Sequence, residues 1–150
     1  MSTELTIEKT LEFAQPKTKA FAYLRDLKRR KEFMTIVDKT TITKKSGSDD
    51  LTGTRIKEVT HFLGFDMNLE YEVTGFEEGK LIALKCEDGP FYPFMEIKLD
   101  KGTAKSCHAH VVVTIQLGAL KLMPMFILRP TVEAIIKGIL KKLTDVVNAE

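Results

Sequence analysis

The chain has 150 residues, 43% of them apolar and 29% charged, which suits one ordinary folded domain able to bury about 70% of its unfolded surface. With 23 basic and 21 acidic residues the net charge is +2, too balanced to point to nucleic acid or to an anionic membrane. The N-terminus lacks a signal-peptide pattern, and the longest apolar run, near 117–128, is interrupted by Lys121 and Pro124 and too short for a bilayer, so a cytoplasmic protein with no integral membrane segment is expected.

Leu5, Ile7, Leu11 and Phe13 alternate with mostly polar residues and predict a first strand, ended by Pro16. The spacing then turns helical over 17–26, with Ala20, Phe21, Tyr23 and Leu24 on the apolar side, and a second short helix is predicted over 27–34. Strands are predicted at 36–44, 54–63, 65–76, 81–86, 91–99 and 103–117. Ser46-Gly47-Ser48-Asp49-Asp50, Gly64, Glu77-Glu78-Gly79-Lys80, Glu87-Asp88-Gly89-Pro90 and Asp100-Lys101-Gly102 separate them with the residues tight turns require. From 131 to 150, Val132, Ile135, Ile136, Ile139, Leu140, Leu143, Val146 and Val147 fall on one stripe of a long helix. Runs of strands followed by a helix imply an α+β domain with an antiparallel sheet covering that stripe.

Two hairpins set the inward face. A two-residue turn at Leu63-Gly64 pairs Phe62 with Phe65, Thr60 with Met67, Glu58 with Leu69 and Ile56 with Tyr71, which puts Glu58 inward. A three-residue turn at Asp100-Lys101-Gly102 aligns Ile97, Met95, Pro93 and Phe91 with Lys105, Cys107, Ala109 and Val111 and groups more apolar residues than a two-residue turn at Lys101-Gly102, which would shift the register by one and turn His108 and His110 to the side of Met95 and Ile97. Cys86 and Cys107 lie in apolar strand-like stretches and read as buried free thiols.

Four segments carry a resemblance: "LEFAQPKTKAFAYLRDL" at 11–27, "GTRIKEV" at 53–59 leading into "YEVTGFEEGKLIAL" at 71–84, "DKGTAKSCHAHVVV" at 100–113, and "LMPMFILRPTVEAIIKGILKKLTDVVNAE" at 122–150. Together the chain resembles the START-like, helix-grip domains of the SRPBCC superfamily, and within them the polyketide cyclase/dehydrase-like group. The resemblance implies the START/Bet v 1-like architecture: a seven-stranded antiparallel sheet wrapped around a long C-terminal helix, with two short helices after the first strand. It also implies an apolar cavity between sheet and helix for a lipid, isoprenoid or polyketide-like molecule. No cofactor is implied.

On that architecture the cavity is lined by Phe62, Met67, Leu69, Tyr71, Met95 and Ile97 from the sheet and by Ile135 and Ile139 from the helix, with Phe33, Met34, Met123, Met125 and Phe126 near its mouth. The methionines supply flexible side chains that repack around varied shapes. Pro124 and Pro130 interrupt helical hydrogen bonding near 122–128, which would allow a movable lid. The candidate catalytic groups are Glu58, an inward carboxylate that needs a partner or else sits at the rim or pairs with Arg55 or Lys57, and the Tyr71 hydroxyl. His108 and His110 share a strand face, but metal binding needs a third ligand and none is spaced for it. Cys107 and His108 are strand neighbours on opposite faces, and nothing is seen to orient His108 toward Ser106, so neither makes a nucleophile–base pair. The basic run Arg25, Lys28, Arg29, Arg30, Lys31 reads as a solvated helix face that could also draw an anionic headgroup to the mouth. The leading expectation is a carrier or sensor of a small hydrophobic or amphipathic molecule, monomeric or dimeric. The alternatives are a cyclase, dehydratase or hydrolase working in the same cavity, and a protein-interaction module with a vestigial one.

Overall fold

The computed structural model describes residues 3–88, 91–118 and 123–150. The elements are β1 (Glu4–Phe13), α1 (Lys17–Leu24), a 3₁₀ helix (Leu27–Glu32), β2 (Val37–Lys44), β3 (Arg55–Phe62), β4 (Phe65–Glu77), β5 (Leu81–Cys86), β6 (Phe94–Leu99), β7 (Cys107–Gln116) and α2 (Met125–Asn148). The strands form the expected antiparallel seven-stranded sheet, and their order in it is β1-β7-β6-β5-β4-β3-β2. Since β1 and β2 are its opposite edges, α1 and the 3₁₀ helix must carry the chain from one edge to the other.

The β3–β4 hairpin has the predicted register, with Phe62 opposite Phe65, Glu58 opposite Leu69 and Ile56 opposite Tyr71. Leu63 (φ 52°) and Gly64 (φ 81°) both adopt the left-handed conformation of a type I′ turn. Glycine does so freely; leucine is strained there.

The β6–β7 hairpin departs from expectation. Ile97 faces Val111 and Met95 faces Val113, so the register lies six residues from the predicted one and β7 begins at Cys107. The cause is local. The Thr103 hydroxyl accepts the backbone N–H groups of Lys105 (3.2 Å) and Ser106 (3.1 Å), and Thr103 N–H donates to the Ser106 carbonyl (2.7 Å). This side-chain turn removes 103–106 from the strand. The shift is an even number, so Cys107, Ala109, Val111 and Val113 still face inward while His108 and His110 face outward. Cys86 and Cys107 are buried free thiols, and burial pushes both above the ordinary thiol range.

α2 starts earlier than predicted and runs through Pro130. The Pro124 carbonyl accepts the N–H groups of Ile127 (3.0 Å) and Leu128 (2.9 Å) and so opens the helix. Pro130 cannot donate to the Phe126 carbonyl, so the predicted interruption is a missing bond within the helix and not its boundary. Leu128, Val132, Ile136, Ile139, Leu140, Leu143 and Val147 are buried in the same core as the inner face of the sheet. No described helix is long and apolar enough to cross a membrane. The Gly89-Pro90 turn and residues Lys121 and Leu122 of the predicted lid lie outside the described residues.

Candidate functional site

The alternation of β3 and β4 presents Thr60, Phe62, Met67, Leu69 and Tyr71 to the interior, β6 adds Met95, and β7 adds Val113 and Ile115. Opposite them α2 presents Ile135, Ile136 and Ile139, spaced as one helical stripe. Phe91, Pro93 and Phe94 close one side; Arg30, Met34 and Ile36 close another. Phe62 and Phe91 meet edge to face at 5.0 Å. The space left inside is about 60 Å³. That is well below the roughly 300–1,000 Å³ of pockets that hold drug-sized ligands. The interior is therefore a nearly closed apolar seam, narrower than the sequence suggested.

Of the candidate residues, Met34, Phe62, Met67, Leu69, Tyr71, Met95, Ile135 and Ile139 meet around this seam. Four do not. Phe33 is buried against the Tyr23 ring (6.3 Å), and Ile97 is core, paired between Ile82 and Val111. Met123 is exposed, and Phe126 is 78% exposed. The helix starts early enough to place Phe126 two residues, about 200° of rotation, from buried Leu128. Thr60, Val113 and Ile115 were legible from strand alternation once the faces were assigned; Arg30 was not.

Glu58 is inward and fully buried (0% exposed), and its partner is Arg30 (4% exposed) rather than Arg55 or Lys57. Arg30 donates from Nε to Oε2 (3.0 Å) and from Nη2 to Oε1 (3.3 Å), and the Thr40 hydroxyl donates to Oε2 (2.8 Å). Arg55 instead meets Glu70 at 3.3 Å, with Glu72 at 4.0 Å. Leu27 and Arg30 are eclipsed by the three-residue repeat of the 3₁₀ helix, so both turn inward. Burial works against the Arg30 charge, yet the charge and hydrogen bonds of Glu58 outweigh it and hold the guanidinium protonated. The Arg30 guanidinium lies 5.4 Å from the centre of the Tyr71 ring. Burial first, then the Glu58 charge, raises the Tyr71 phenol well above its ordinary range, so it stays a neutral donor.

Both other arginines of the basic run are neutralised within the molecule. Arg25 pairs with Glu78 and donates to the Asp49 carbonyl (2.9 Å); Arg29 pairs with Glu32 (3.0 Å) and Glu150 (2.5 Å) over the Tyr23 ring. Lys28 and Lys31 are exposed. The run is thus a set of ties plus a buried cation, not a uniformly solvated face.

The histidines lie on the outer face. Asp100 accepts the His108 backbone N–H (2.8 Å) and meets its Nδ1 (3.1 Å), so an acidic residue does orient this imidazole; Ser106 Oγ meets the Thr103 hydroxyl instead (3.3 Å). His110 Nδ1 lies 3.4 Å from the Thr10 hydroxyl. His61 is clamped between Asp66 and Asp38, and hydrogen bonds to these carboxylates raise its imidazole above the usual range. A folded-state value raised above the unfolded one gives stability that is complete below about pH 6.5 and disappears as pH rises through the folded value. His61→Gln is therefore expected to lower the melting temperature near pH 6 and to leave it unchanged near pH 9. Thermal melts across that range check it; equal effects at both ends would remove the charged clamp.

No protein-family model and no curated protein matches this chain. Solved structures do. A START superfamily protein from Mycobacterium smegmatis superposes with a TM-score of 0.79 at 14% identity, covering 96% of this chain and 97% of that one. The Zhui aromatase/cyclase from a Streptomyces species gives a TM-score of 0.75 at 14% identity over 97% and 92% of the two chains. Ara h 8.0201 gives 0.67 at 16% identity over 98% and 99%. The chain has the START-like, helix-grip fold that these structures share. At such identities the likeness carries the fold and leaves the activity to be argued from the site.

Proposed function

We propose that this chain binds a small hydrophobic or amphipathic molecule, of lipid, isoprenoid or polyketide type, between its sheet and α2, and serves as its carrier or sensor. The observation that carries the reading is the seam itself: an apolar lining drawn from five strands or strand-flanking segments and one helix, with open volume at its centre and a few polar groups at one end. Occupancy requires the seam to widen. Met34, Met67 and Met95 line it and repack at low cost. The start of α2 is the segment to yield, since Pro130 leaves a helical bond unmade and Phe126 and Ile127 gain little from burial. What favours binding over turnover is that both Glu58 oxygens are already engaged, which leaves no free carboxylate base in the seam. Two unpaired thiols suit a cytoplasmic setting.

The test is a titration with 1-ethylnaphthalene, a neutral hydrocarbon probe. Saturable binding is expected, and Ile139→Phe, which fills the seam from the helix side, is expected to weaken it at least tenfold while costing no more than about 1–3 kcal/mol of stability. No saturable binding, or binding indifferent to Ile139→Phe, would end the reading.

A further inference from the structure

The polar groups that line the seam restrict what a ligand must bring, given the binding role proposed above. Arg30 spends Nε and Nη2 on Glu58, while Nη1 donates to no oxygen among the described residues. The Tyr71 hydroxyl likewise has no hydrogen-bond partner there. Both residues are buried and both line the seam. The one fully enclosed side-chain polar atom without a partner among the described residues is Thr54 Oγ1, so these two donors are not walled in by protein. They open onto the seam. Thr60 adds no competing donor, because its hydroxyl is turned to the Glu58 carbonyl (3.3 Å).

The free Arg30 N–H can only donate, and the Tyr71 hydroxyl can donate as well as accept, so a single acceptor oxygen on the ligand satisfies both. Charge narrows its kind. Glu58 already balances Arg30, so a carboxylate added here would be a net buried charge in an apolar space, and burying such a charge is far more costly than burying a hydrogen-bonded neutral oxygen. We propose that the seam takes an apolar molecule with a neutral carbonyl-type oxygen at its buried end, held by Nη1 of Arg30 and the hydroxyl of Tyr71.

Three matched probes test this: 1-acetylnaphthalene, its hydrocarbon counterpart 1-ethylnaphthalene, and 1-naphthoate. The ketone is expected to bind at least tenfold more tightly than either of the others. Tyr71→Phe should weaken the ketone at least threefold and leave 1-ethylnaphthalene unchanged. The carbonyl stretch of bound 1-acetylnaphthalene should lie at lower frequency in the parent protein than in Tyr71→Phe, a readout that a loss of packing alone would not move. Equal affinity for ketone and hydrocarbon, tightest binding of 1-naphthoate, or a ketone preference intact in Tyr71→Phe would each overturn the donor assignment while apolar binding stands. Failure of 1-ethylnaphthalene to bind as well would overturn both.

Discussion

Glu58→Leu is expected to cost about 3–5 kcal/mol of folding stability, and Arg30→Met a similar amount, whereas the double variant returns to within about 1–2 kcal/mol of the parent or exceeds it. The asymmetry follows from the geometry. Each single change leaves one charge stranded at a site with 0% or 4% exposure, without the opposite charge that had balanced it there. The double change removes both desolvation costs and leaves an apolar patch beside Met34 and Tyr71. Urea unfolding of the four proteins gives the coupling directly. Single variants within about 1 kcal/mol of the parent would mean that water reaches the pair. Glu58→Gln is informative in the same way: it keeps the shape but not the counter-charge, so its loss would be read in stability first and only then in binding.

Leu140→Ala should cost about 2–5 kcal/mol, and Ile135→Ala, on the same helix, about 1 kcal/mol. Leu140 is fully buried in the stripe of α2 that closes on the sheet, so truncation leaves a hole with packed walls. Ile135 is half-buried and borders space that is already open. Fewer neighbours lose contact when it is shortened. Midpoint shifts at constant denaturant slope measure both. Equal costs at the two positions would mean that the seam is filled rather than open.

How far the sequence reached can be seen residue by residue. The β3–β4 hairpin was readable because Leu63-Gly64 allows one tight turn and the flanking apolar alternation tolerates one register. The β6–β7 hairpin was not, because a threonine hydroxyl at the head of the predicted run competes with strand pairing and leaves no trace in an apolar pattern. The α2 stripe was clear from Val132 onward, but Pro130 obscured the turns before it, and with them the outward position of Phe126. Glu58 was placed inward correctly. Its partner was hidden in a run of cations whose average character is solvated. The inward turn of Arg30 shows only when it is set beside Leu27, three residues back, with which it shares the buried face of the 3₁₀ helix.

The pairing of Glu4 with Gln116 and of Phe13 with Cys107 has a cost during synthesis. β1 is made before the other six strands of the sheet, yet its neighbour there is β7, the one made after the rest. Until then it is an orphan ribbon with open edges, the kind of segment that seeds association between nascent chains. Glu4, Glu8, Lys9 and Glu12, spaced along it, act as gatekeepers that keep the waiting ribbon from adhering to its copies.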